Sequence, residues 1–508
     1  MKIKMILRKY GLNVLIILAE IASIVLTFLF LTDLTQFLWL AAFIVNFIAY
    51  LWILNLDTNP EFKIPWISIV LLIQPLGSLL YVMFSEKKLT HREVRHMIKL
   101  RNVMPGSDKK VDKFSESDGD TALALGKAKA ILYDDPQAEL FSDTDSEYFA
   151  LGEQMYEKML ADLKQAQNFI FLEYFIVEEG VMWNQMLEIL KERAAAGVEV
   201  RMLYDDIGCM ATLDGKYDRR LRESGIQCYK FNPFRPDASE MHNNRDHRKL
   251  LIVDGQIGYT GGINLADEYI NRIQKYGHWK DGGIRLEGAA VKGMTRLFLI
   301  NWDTCRESLS DYERYLRPPK LPERGEGYYI PFGSGPKPAY FNPVGKNVFL
   351  NLINQAKSSL YITTPYLIID YDLTNAIQNA AKRGVDVRII TPYIPDKKII
   401  QLMTRSSYPP LLESGVKIYE YTPGFIHAKN VIVDDEYAVV GTINFDYRSL
   451  VHHYENAVWM YRTAVIPEMK NDFLNTMEKS MKLEQSAIRM SAAQKVLKYC
   501  IRLFVPLM

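Results

Sequence analysis

The chain has 508 residues, enough for roughly two or three domains. Charged residues make up 24% of the chain and the formal net charge is +1, so bulk charge indicates neither a nucleic-acid-binding protein nor an acidic tail. The four cysteines have no metal-site or disulfide spacing, and they fit a reducing compartment.

Residues 1–85 form a hydrophobic segment that we expect to anchor the protein in a membrane. The runs 13–31 and 37–54 are each close to the ~20 residues that span a bilayer as a helix. A third run, 64–84, is interrupted by the sequence Pro-Leu-Gly. Basic residues flank the whole segment on both sides, so the positive-inside rule places both flanks in the cytoplasm and requires an even number of crossings. We predict two spans and a re-entrant or interfacial third run, with a full third span as the alternative.

The rest of the chain divides by composition and by its pattern of predicted elements. Residues 86–135 are predicted to be a basic region and linker because they are polar and rich in glycine, serine and charge. Two lobes follow, at 136–335 and 336–483, and they are separated near a segment rich in glycine and proline. The tail, 484–508, has apolar residues near one helical face and basic residues elsewhere, which predicts an amphipathic helix.

Both lobes show alternating helix and strand signals in the same order, which predicts an α/β fold. The sequence GVEVRML at 197–203 is nearly identical to GVDVRII at 384–390. The repeat predicts two similar lobes that form one catalytic domain with a pseudo-two-fold axis, preceded by the α-helical membrane segment. In the first lobe we predict the helices 153–167 and 184–197 and the strands 169–176 and 198–206.

A second repeat contains the candidate catalytic residues. Residues 247–254 read HRKLLIVD and residues 427–434 read HAKNVIVD, so each lobe has a histidine and a lysine at the start of an apolar run. Side chains alternate along a strand, so the histidine and lysine of each motif share one face. One such pair alone could be a solvated strand edge, but two in register point to a function. We expect His247, Lys249, His427 and Lys429 to meet at the lobe interface.

Such a site suits a phosphate group. Asn264 and Asn444 follow the two motifs at matching positions, and together with the lysines they can bind the non-bridging oxygens of a phosphate. One imidazole can attack phosphorus while the other protonates the departing alkoxide. Paired ammonium groups and a shortage of carboxylates disfavour a cation between the histidines. We therefore expect neither a metal nor a cofactor.

Each histidine also needs a carboxylate to fix its tautomer. We expect Asp281 to hold His247 and Glu455 to hold His427, because each carboxylate follows its histidine within the same lobe. The motif also places Asp254 and Asp434 in the candidate catalytic set. Their positions at the ends of the strands favour a role in holding the local turn.

The paired H-x-K-x-x-x-x-D motifs, each followed by G-(G/T)-x-N, resemble the phospholipase D superfamily. Nearly the whole chain is similar to bacterial cardiolipin synthases, through the stretches LEYFIVEEG, YDDIG, RDHRKLLIVDG, GGINLADEY, WKDGGIRLEG, TPYLIID, GFIHAKNVIVDD and GTINFDYRSL. Some positions depart from that pattern: Asp246 precedes the first histidine, Gly282 and Gly283 follow Asp281, and His452 and His453 stand before Glu455.

The resemblance implies transfer of a phosphatidyl group from one phosphatidylglycerol to another through a phosphatidyl-histidine, with release of glycerol and without metal or nucleotide. It favours His247 as the nucleophile and His427 as the acid. It also implies a protein of the bacterial cytoplasmic membrane, with its lobes on the cytoplasmic side and anionic lipids, not nucleic acid, as partners. A homo-oligomer is compatible with the sequence.

Three alternatives are open. The same groups would serve a membrane-bound phospholipase D or another phosphatidyltransferase that uses water or an amino alcohol as acceptor. A nuclease of the same superfamily is disfavoured by the near-zero net charge and the hydrophobic segment. A lipid-binding scaffold without catalysis is disfavoured because both His-Lys pairs are intact.

Overall fold

The computed structural model of the protein describes residues 32–73, 76–85, 119–234, 243–306, 308–317, 319–321, 325–337, 339–484 and 492–505. The chain divides into two compact units. One contains the helices that precede residue 86, together with the residues from Tyr499 onward, and the other contains both lobes. Each unit is described by itself.

The first unit is helical. Its helices are α1 (Thr32–Leu54), α2 (Pro60–Leu72) and α3 (Gly77–Phe84). A small core of Ile53, Trp66, Val70 and Tyr81 holds them together. The side-chain oxygen of Asn46 on α1 accepts a hydrogen bond of 3.0 Å from the backbone N–H of Ser78 on α3. The C-terminal helix α15 (Ala492–Phe504) confirms the helix predicted in the tail.

The predicted membrane spans have mixed outcomes. The run 13–31 lies outside the described residues, and the run 37–54 lies within α1. The run 64–84 is not one continuous helix, because α2 ends at Leu72 and α3 begins at Gly77. None of the helices in the described part of the chain combines the length and the apolar character that a bilayer crossing requires.

The first lobe is built on a seven-stranded sheet in the order β1-β8-β6-β5-β2-β3-β4. Its strands are β1 (Thr144–Phe149), β2 (Phe169–Tyr174), β3 (Glu199–Asp205), β4 (Gln227–Phe231), β5 (Lys249–Val253), β6 (Ile257–Gly261) and β8 (Gly283–Gly288). Its helices are α5 (Gly152–Lys164), α6 (Val181–Ala195), α7 (Tyr217–Glu223), α8 (Val291–Arg306) and α9 (Tyr312–Tyr315), with a 3₁₀ turn at Asp267–Ile270. The short strand β7 (His278–Lys280) lies outside this sheet.

The second lobe has an eight-stranded sheet in the order β19-β13-β12-β10-β15-β16-β18-β9. Its strands are β9 (Tyr328–Ser334), β10 (Ser359–Thr363), β12 (Asp386–Pro392), β13 (Lys417–Tyr421), β15 (Asn430–Val433), β16 (Tyr437–Gly441), β18 (Glu455–Tyr461) and β19 (Ser480–Lys482). Three short strands lie outside it: β11 (Leu367–Ile368), β14 (Gly424–Ile426) and β17 (Phe445–Asp446). The helices are α4 (Gly119–Asp134), α10 (Val344–Gln355), α11 (Tyr371–Lys382), α12 (Lys398–Ser406), α13 (Tyr408–Glu413) and α14 (Ile466–Glu478), and a π-helical turn covers Arg448–His452.

The two strand orders match strand for strand, except that the second lobe adds β19, so the predicted duplication is confirmed. The motif strand lies at the centre of each sheet: β5 between β6 and β2, and β15 between β16 and β10. Buried on both faces, β5 and β15 are continuous apolar runs. Helices α6 and α11 are followed by Gly197 and Gly384, whose φ angles of 92° and 94° only glycine adopts readily.

The lobes share a core. Apolar side chains from both sheets pack together between them, including Phe171 and Ile252 from the first lobe and Ile432 and Val458 from the second. Separate clusters lie on the far side of each sheet, beneath the helices of that lobe. The lobes therefore form one body, with the central strands of both sheets meeting across a common interior.

Two predicted boundaries are wrong. Strand β9, which we placed in the first lobe, pairs antiparallel with β18 of the second lobe. The region predicted as linker contains α4, whose residues Ala124, Ala128 and Ile131 are buried in the core of the second lobe. Both segments precede the predicted second lobe in the sequence, but they pack against it. Composition alone does not indicate such packing.

Candidate active site

The two His-Lys motifs are joined to the opposite lobe through the backbone. The N–H of His247 donates to the carbonyl of Tyr454 at 2.8 Å, and the N–H of His427 donates to the carbonyl of Lys280 at 2.7 Å. Strand β14, just before His427, runs parallel to β7 of the first lobe, and Asp246 bridges to Tyr454 in the same way. Each histidine is thus fixed where its own lobe meets the other.

The carboxylates that hold the histidines are exchanged between the lobes. Nδ1 of His247 lies 2.9 and 3.0 Å from the two carboxylate oxygens of Glu455, and Nδ1 of His427 lies 2.6 Å from Oδ2 of Asp281. The expectation that each carboxylate serves the histidine of its own lobe is therefore wrong. The backbone hydrogen bonds between the lobes explain this exchange. They place His247 beside Glu455, which follows Tyr454, and His427 beside Asp281, which follows Lys280.

The two dyads are not identical. Glu455 also accepts a hydrogen bond from the Thr442 hydroxyl at its Oε2. In the first lobe Gly262 takes the place of Thr442, and a Cβ there would lie 2.1 Å from Oδ1 of Asp281. That oxygen instead accepts from the Gly282 N–H at 2.9 Å. Gly262 therefore leaves room for the Asp281 carboxylate, whereas the Thr442 hydroxyl holds the Glu455 carboxylate.

Both lysines are buried beside the histidines. Nζ of Lys249 donates to the carbonyl of His247 at 2.6 Å, and Nζ of Lys429 donates to the carbonyl of His427. Burial lowers the pKa of Lys249 to about 8 and that of Lys429 to about 7, although Asp281 and Glu455 oppose the shift. The carboxylates therefore offset part of the free-energy cost of burying these two ammonium groups.

Charged groups of both motifs affect the pKa of each histidine. Burial, Lys249 and Lys429 together lower the pKa of His247 well below its usual value. For His427, burial and Lys429 lower the pKa to about 4, and Asp281 partly opposes them. Both imidazoles are therefore neutral in the free protein at pH 7. Charges from both motifs act on each histidine, so the two motifs lie close enough to interact electrostatically.

The asparagines are buried near the motifs. Oδ1 of Asn264 accepts from the Ile176 N–H at 3.1 Å, and its Nδ2 donates to the hydroxyl of Tyr269, whose ring centroid lies 5.6 Å from that of His427. Oδ1 of Asn444 is buried without a hydrogen-bond partner among the described residues. A phosphate-binding role for the two asparagines stays a prediction.

Asp254 and Asp434 lie at the opposite ends of the motif strands from the two histidines. Each lies just past the end of its motif strand, in the left-handed backbone region with φ of 55° and 53°. The carboxylate of Asp254 accepts from the backbone N–H groups of Gln167, Asn168 and Phe169. The carboxylate of Asp434 accepts from those of Lys357, Ser358 and Ser359. These contacts confirm the turn-holding role, and a role of the two aspartates in catalysis stays a prediction.

We did not predict from the sequence that aromatic rings and a further imidazole would surround His247 and His427. Trp279, Tyr269 and Phe425 surround His427, with ring centroids 5.5 to 5.8 Å away. His247 instead has Phe175 at 5.1 Å and His453 at 5.5 Å. The unusual His453 was a visible signal in the sequence, whereas nothing there indicated that Trp279 would contact a histidine of the other lobe.

His453 also completes a group of donor atoms. One ligand-type atom from each of His247, His453 and Glu455 lies within 4.8 Å of the other two, so these buried residues could hold a metal ion. The group lies on the carboxylate side of His247. This group is separate from the space between the two motifs, where the paired lysines disfavour a cation.

Comparison with known proteins agrees with this geometry. The family model described as "Cardiolipin synthase, PLD-like domain" matches residues 159–275 and 349–477, and a model described as "Phospholipase_D-nuclease N-terminal" matches residues 44–86. The chain is 39% identical to an uncharacterised protein of Streptococcus mutans serotype c, over 91% of this chain and 99% of that protein. It is 31% identical to a cardiolipin synthase of Alkalihalophilus pseudofirmus, over 85% and 86% of the two chains.

Similarity of fold extends further than similarity of sequence. The crystal structure of a phosphatidylserine synthase from Haemophilus influenzae Rd KW20 superposes with a TM-score of 0.56 at 14% identity, and it covers 72% of this chain and 95% of that one. A cardiolipin synthase of Halalkalibacterium halodurans is 30% identical over 89% of this chain and 90% of that protein. With two His-Lys motifs in one two-lobed α/β body and relatives that cover most of its length, the chain belongs to the cardiolipin synthase family of phospholipase D-like enzymes.

Proposed function

We propose that the protein makes cardiolipin by moving a phosphatidyl group from one phosphatidylglycerol to a second one. The observation that carries the proposal is the pair of crossed dyads, His247 with Glu455 and His427 with Asp281, flanked by two buried lysines. Two imidazoles with fixed tautomers beside two cations are what a double displacement at a phosphodiester requires.

In the first half-reaction, Nε2 of His247 attacks phosphorus. This atom carries a lone pair because Nδ1 keeps its proton, which it donates to Glu455. A phosphorus–nitrogen bond forms and the bond from phosphorus to the glycerol oxygen breaks. His427, which takes up a proton at Nε2 when the anionic substrate binds, gives that proton to the departing oxygen. Lys249 and Lys429 stabilise the negative charge on the non-bridging oxygens as the transition state forms.

In the second half-reaction, His427 removes the proton from a glycerol hydroxyl of another phosphatidylglycerol. That oxygen attacks phosphorus, the phosphorus–nitrogen bond breaks, and His247 returns to its neutral form. The leaving and entering groups are both alcohols, so one residue can serve as acid and then as base. No group in this sequence of steps needs a metal or a nucleotide.

The environments of the two histidines support this division of roles. An acid must carry a proton when the leaving group departs, and Asp281 raises the pKa of His427 against the effect of burial. A bound anionic phosphate would raise it further. Burial and both lysines act against protonation of His247, which favours a neutral nucleophile.

We also propose that the helical unit attaches the enzyme to the cytoplasmic leaflet. Helix α1 exposes a series of large apolar side chains, among them Phe37, Leu40, Ile48 and Trp52, with about half or more of each side chain accessible. Such a surface is far more apolar than a soluble helix needs, and contact with lipid acyl chains would cover it. The substrates reside in the same bilayer, so attachment would keep the site near them.

The experiment is turnover of phosphatidylglycerol labelled in its terminal glycerol and, separately, in an acyl chain. Purified full-length protein in mixed micelles is expected to release labelled glycerol and to form cardiolipin in equal amounts. Glutamine in place of Glu455 supplies a matched control of nearly equal size, and it should strongly slow the formation of both products. Phosphatidic acid without cardiolipin would show that water is the acceptor, and the absence of any turnover would refute the proposal.

A further inference from the structure

A third buried imidazole stands beside the proposed nucleophile. His453 is 8% exposed, and the centroid of its ring lies 5.5 Å from that of His247. Its Nδ1 has no hydrogen-bond partner among the described residues and lies 3.7 Å from Oε1 of Glu455, too far for a hydrogen bond. A buried polar nitrogen without a partner costs free energy, and a ligand bound at that atom would remove the cost.

The pseudo-symmetry of the molecule shows that this imidazole is not a general requirement of the fold. His453 precedes Tyr454, whose carbonyl receives the His247 N–H, and Trp279 precedes Lys280, whose carbonyl receives the His427 N–H. Trp279 is thus the counterpart of His453, and its ring lies at the same 5.5 Å from its histidine. Only the half that contains His247 places a second imidazole beside the dyad.

The geometry points to a binding site for one divalent transition cation of the zinc class, held by His247, Glu455 and His453, that switches the enzyme off. The Glu455 oxygen lies 2.9 Å from Nδ1 of His247 and 3.7 Å from Nδ1 of His453. Ligands at about 2.0 Å from a tetrahedral zinc ion are about 3.3 Å apart, so each of these two distances must change by only about 0.4 Å. All three donor atoms already lie within 4.8 Å of one another. Solvent would supply the fourth ligand.

The donor set defines the class of cation. Two imidazole nitrogens and one carboxylate oxygen suit zinc and similar borderline cations, whereas magnesium and calcium prefer oxygen ligands. The hydroxyl of Thr442 donates to the other carboxylate oxygen of Glu455, so Oε1 is the one left for a metal. Lys249 and Lys429 direct their ammonium groups to the carbonyls of the two catalytic histidines, not to this carboxylate.

Inhibition follows from the tautomer of His247. The nucleophile needs its proton on Nδ1 and its lone pair on Nε2. A metal ion bound at Nδ1 uses the lone pair of that atom, so the proton moves to Nε2 and the imidazole stays neutral. Nε2 then has no lone pair to offer phosphorus. Occupancy by the cation and attack on the phosphodiester are therefore mutually exclusive, without any change in the fold.

Binding can be measured without lipid, which separates this inference from the proposed function. Full-length protein in detergent is titrated with zinc by calorimetry and with cobalt by visible absorption. The wild type is expected to bind one ion per chain and to show cobalt bands with imidazole ligation. His453→Asn and His453→Gln should lose the site, and His278→Asn, which removes a histidine outside the group, should keep it. Thermal unfolding of each variant verifies that it is folded.

The functional arm uses phosphatidylglycerol turnover at rising zinc concentration. The wild type should be inhibited with a midpoint equal to its binding constant and should recover when a chelator is added, whereas magnesium should have no effect. The His453 variants should need at least a tenfold higher concentration of zinc. Absence of stoichiometric binding to the folded wild type, or equal binding and inhibition in the folded His453→Asn protein, would overturn the inference.

Discussion

Two histidines in nearly the same sequence context have different surroundings in the folded chain. Aromatic rings enclose His427, and a single short contact joins it to Asp281. His247 shares Glu455 with a hydroxyl and lies beside another imidazole. These differences, not the motifs, distinguish the two proposed roles, because the motifs are equivalent along the chain.

Trapping of the covalent intermediate tests which histidine attacks. His427→Ala keeps the nucleophile but lacks the acid, so it is expected to accumulate a phosphatidyl-histidine slowly, and His247→Ala should form none. Brief incubation with acyl-labelled lipid, alkaline denaturation that preserves phosphohistidine, and peptide mapping would locate the label. Label on His427 in the His247→Ala protein would reverse the two roles.

A substrate with an activated leaving group tests the crossed pairing. Departure of p-nitrophenolate from phosphatidyl-p-nitrophenol needs no acid, so a variant defective only in the acid should cleave it almost normally. Asp281→Asn, which disturbs His427, is expected to lose about 10²-fold or more in the rate with phosphatidylglycerol and little with the activated substrate. Glu455→Gln, which disturbs His247, should be slow with both. The opposite result would mean that each carboxylate serves the histidine of its own lobe.

The buried lysines predict an alkaline limit to activity. Their ammonium forms are the ones that stabilise phosphate oxygens, and the pKa values of about 7 for Lys429 and about 8 for Lys249 place their loss of charge between about pH 7 and pH 8. We expect kcat/KM, which reports the free enzyme, to fall as pH rises through 7 to 8. The residual activity of Lys429→Arg, which keeps its charge, should fall only near pH 8. A flat profile to pH 9 would contradict this prediction.

At the scale of elements, the ends of β5 and β15 are held by carboxylates that bind the start of a neighbouring strand. The sequence predicted this turn because an aspartate closes each motif. It did not reveal that the amide partners lie roughly 75 to 90 residues earlier, at the entry to β10 and β2. Each motif is thus fixed at both ends, with the reacting groups at one end and a structural carboxylate at the other.

Replacement of Asp434 by alanine tests this role. Removal of the carboxylate leaves several backbone N–H groups without their acceptor, so we expect the free energy of unfolding to fall by about 1–3 kcal/mol. Asp435→Ala is the matched control, because Asp435 has a similar φ of 58° but makes a surface ion pair with Lys470, worth about 0–1 kcal/mol. Thermal or denaturant unfolding measures both variants. Equal losses would show that backbone strain, and not the carboxylate contacts, accounts for the effect.

The strands, the helices and the duplication were predictable because local patterns specify them. Alternating α and β signals, the apolar motif strands and the repeated GV-x-VR segments all correspond to elements of the structure. The partners of the histidines and the place of β9 depend on contacts between the lobes. No local pattern records such contacts, so proximity along the chain gave the wrong carboxylate for each imidazole.

At the scale of the whole molecule, removal of residues 1–85 separates attachment from catalysis. Both lobes belong to the unit that this deletion leaves, so the truncated protein should fold. Its activity on phosphatidylglycerol vesicles is expected to fall at least tenfold more than its activity on detergent-dispersed lipid, because only the vesicle assay depends on binding a surface. Equal losses in both assays would mean that the N-terminal unit shapes the active site itself.

The exchange of Asp281 and Glu455 between the lobes has an implication for the ancestry of the chain. A single lobe would contain a histidine, a lysine and a carboxylate, but it could not bring its own carboxylate to its own histidine. An ancestral one-lobe protein with this geometry would have worked only as a dimer, in which each copy supplied an acid to the other. Fusion of two such copies would free them to diverge, and the difference between His453 and Trp279 is an asymmetry that two identical copies of one chain cannot have.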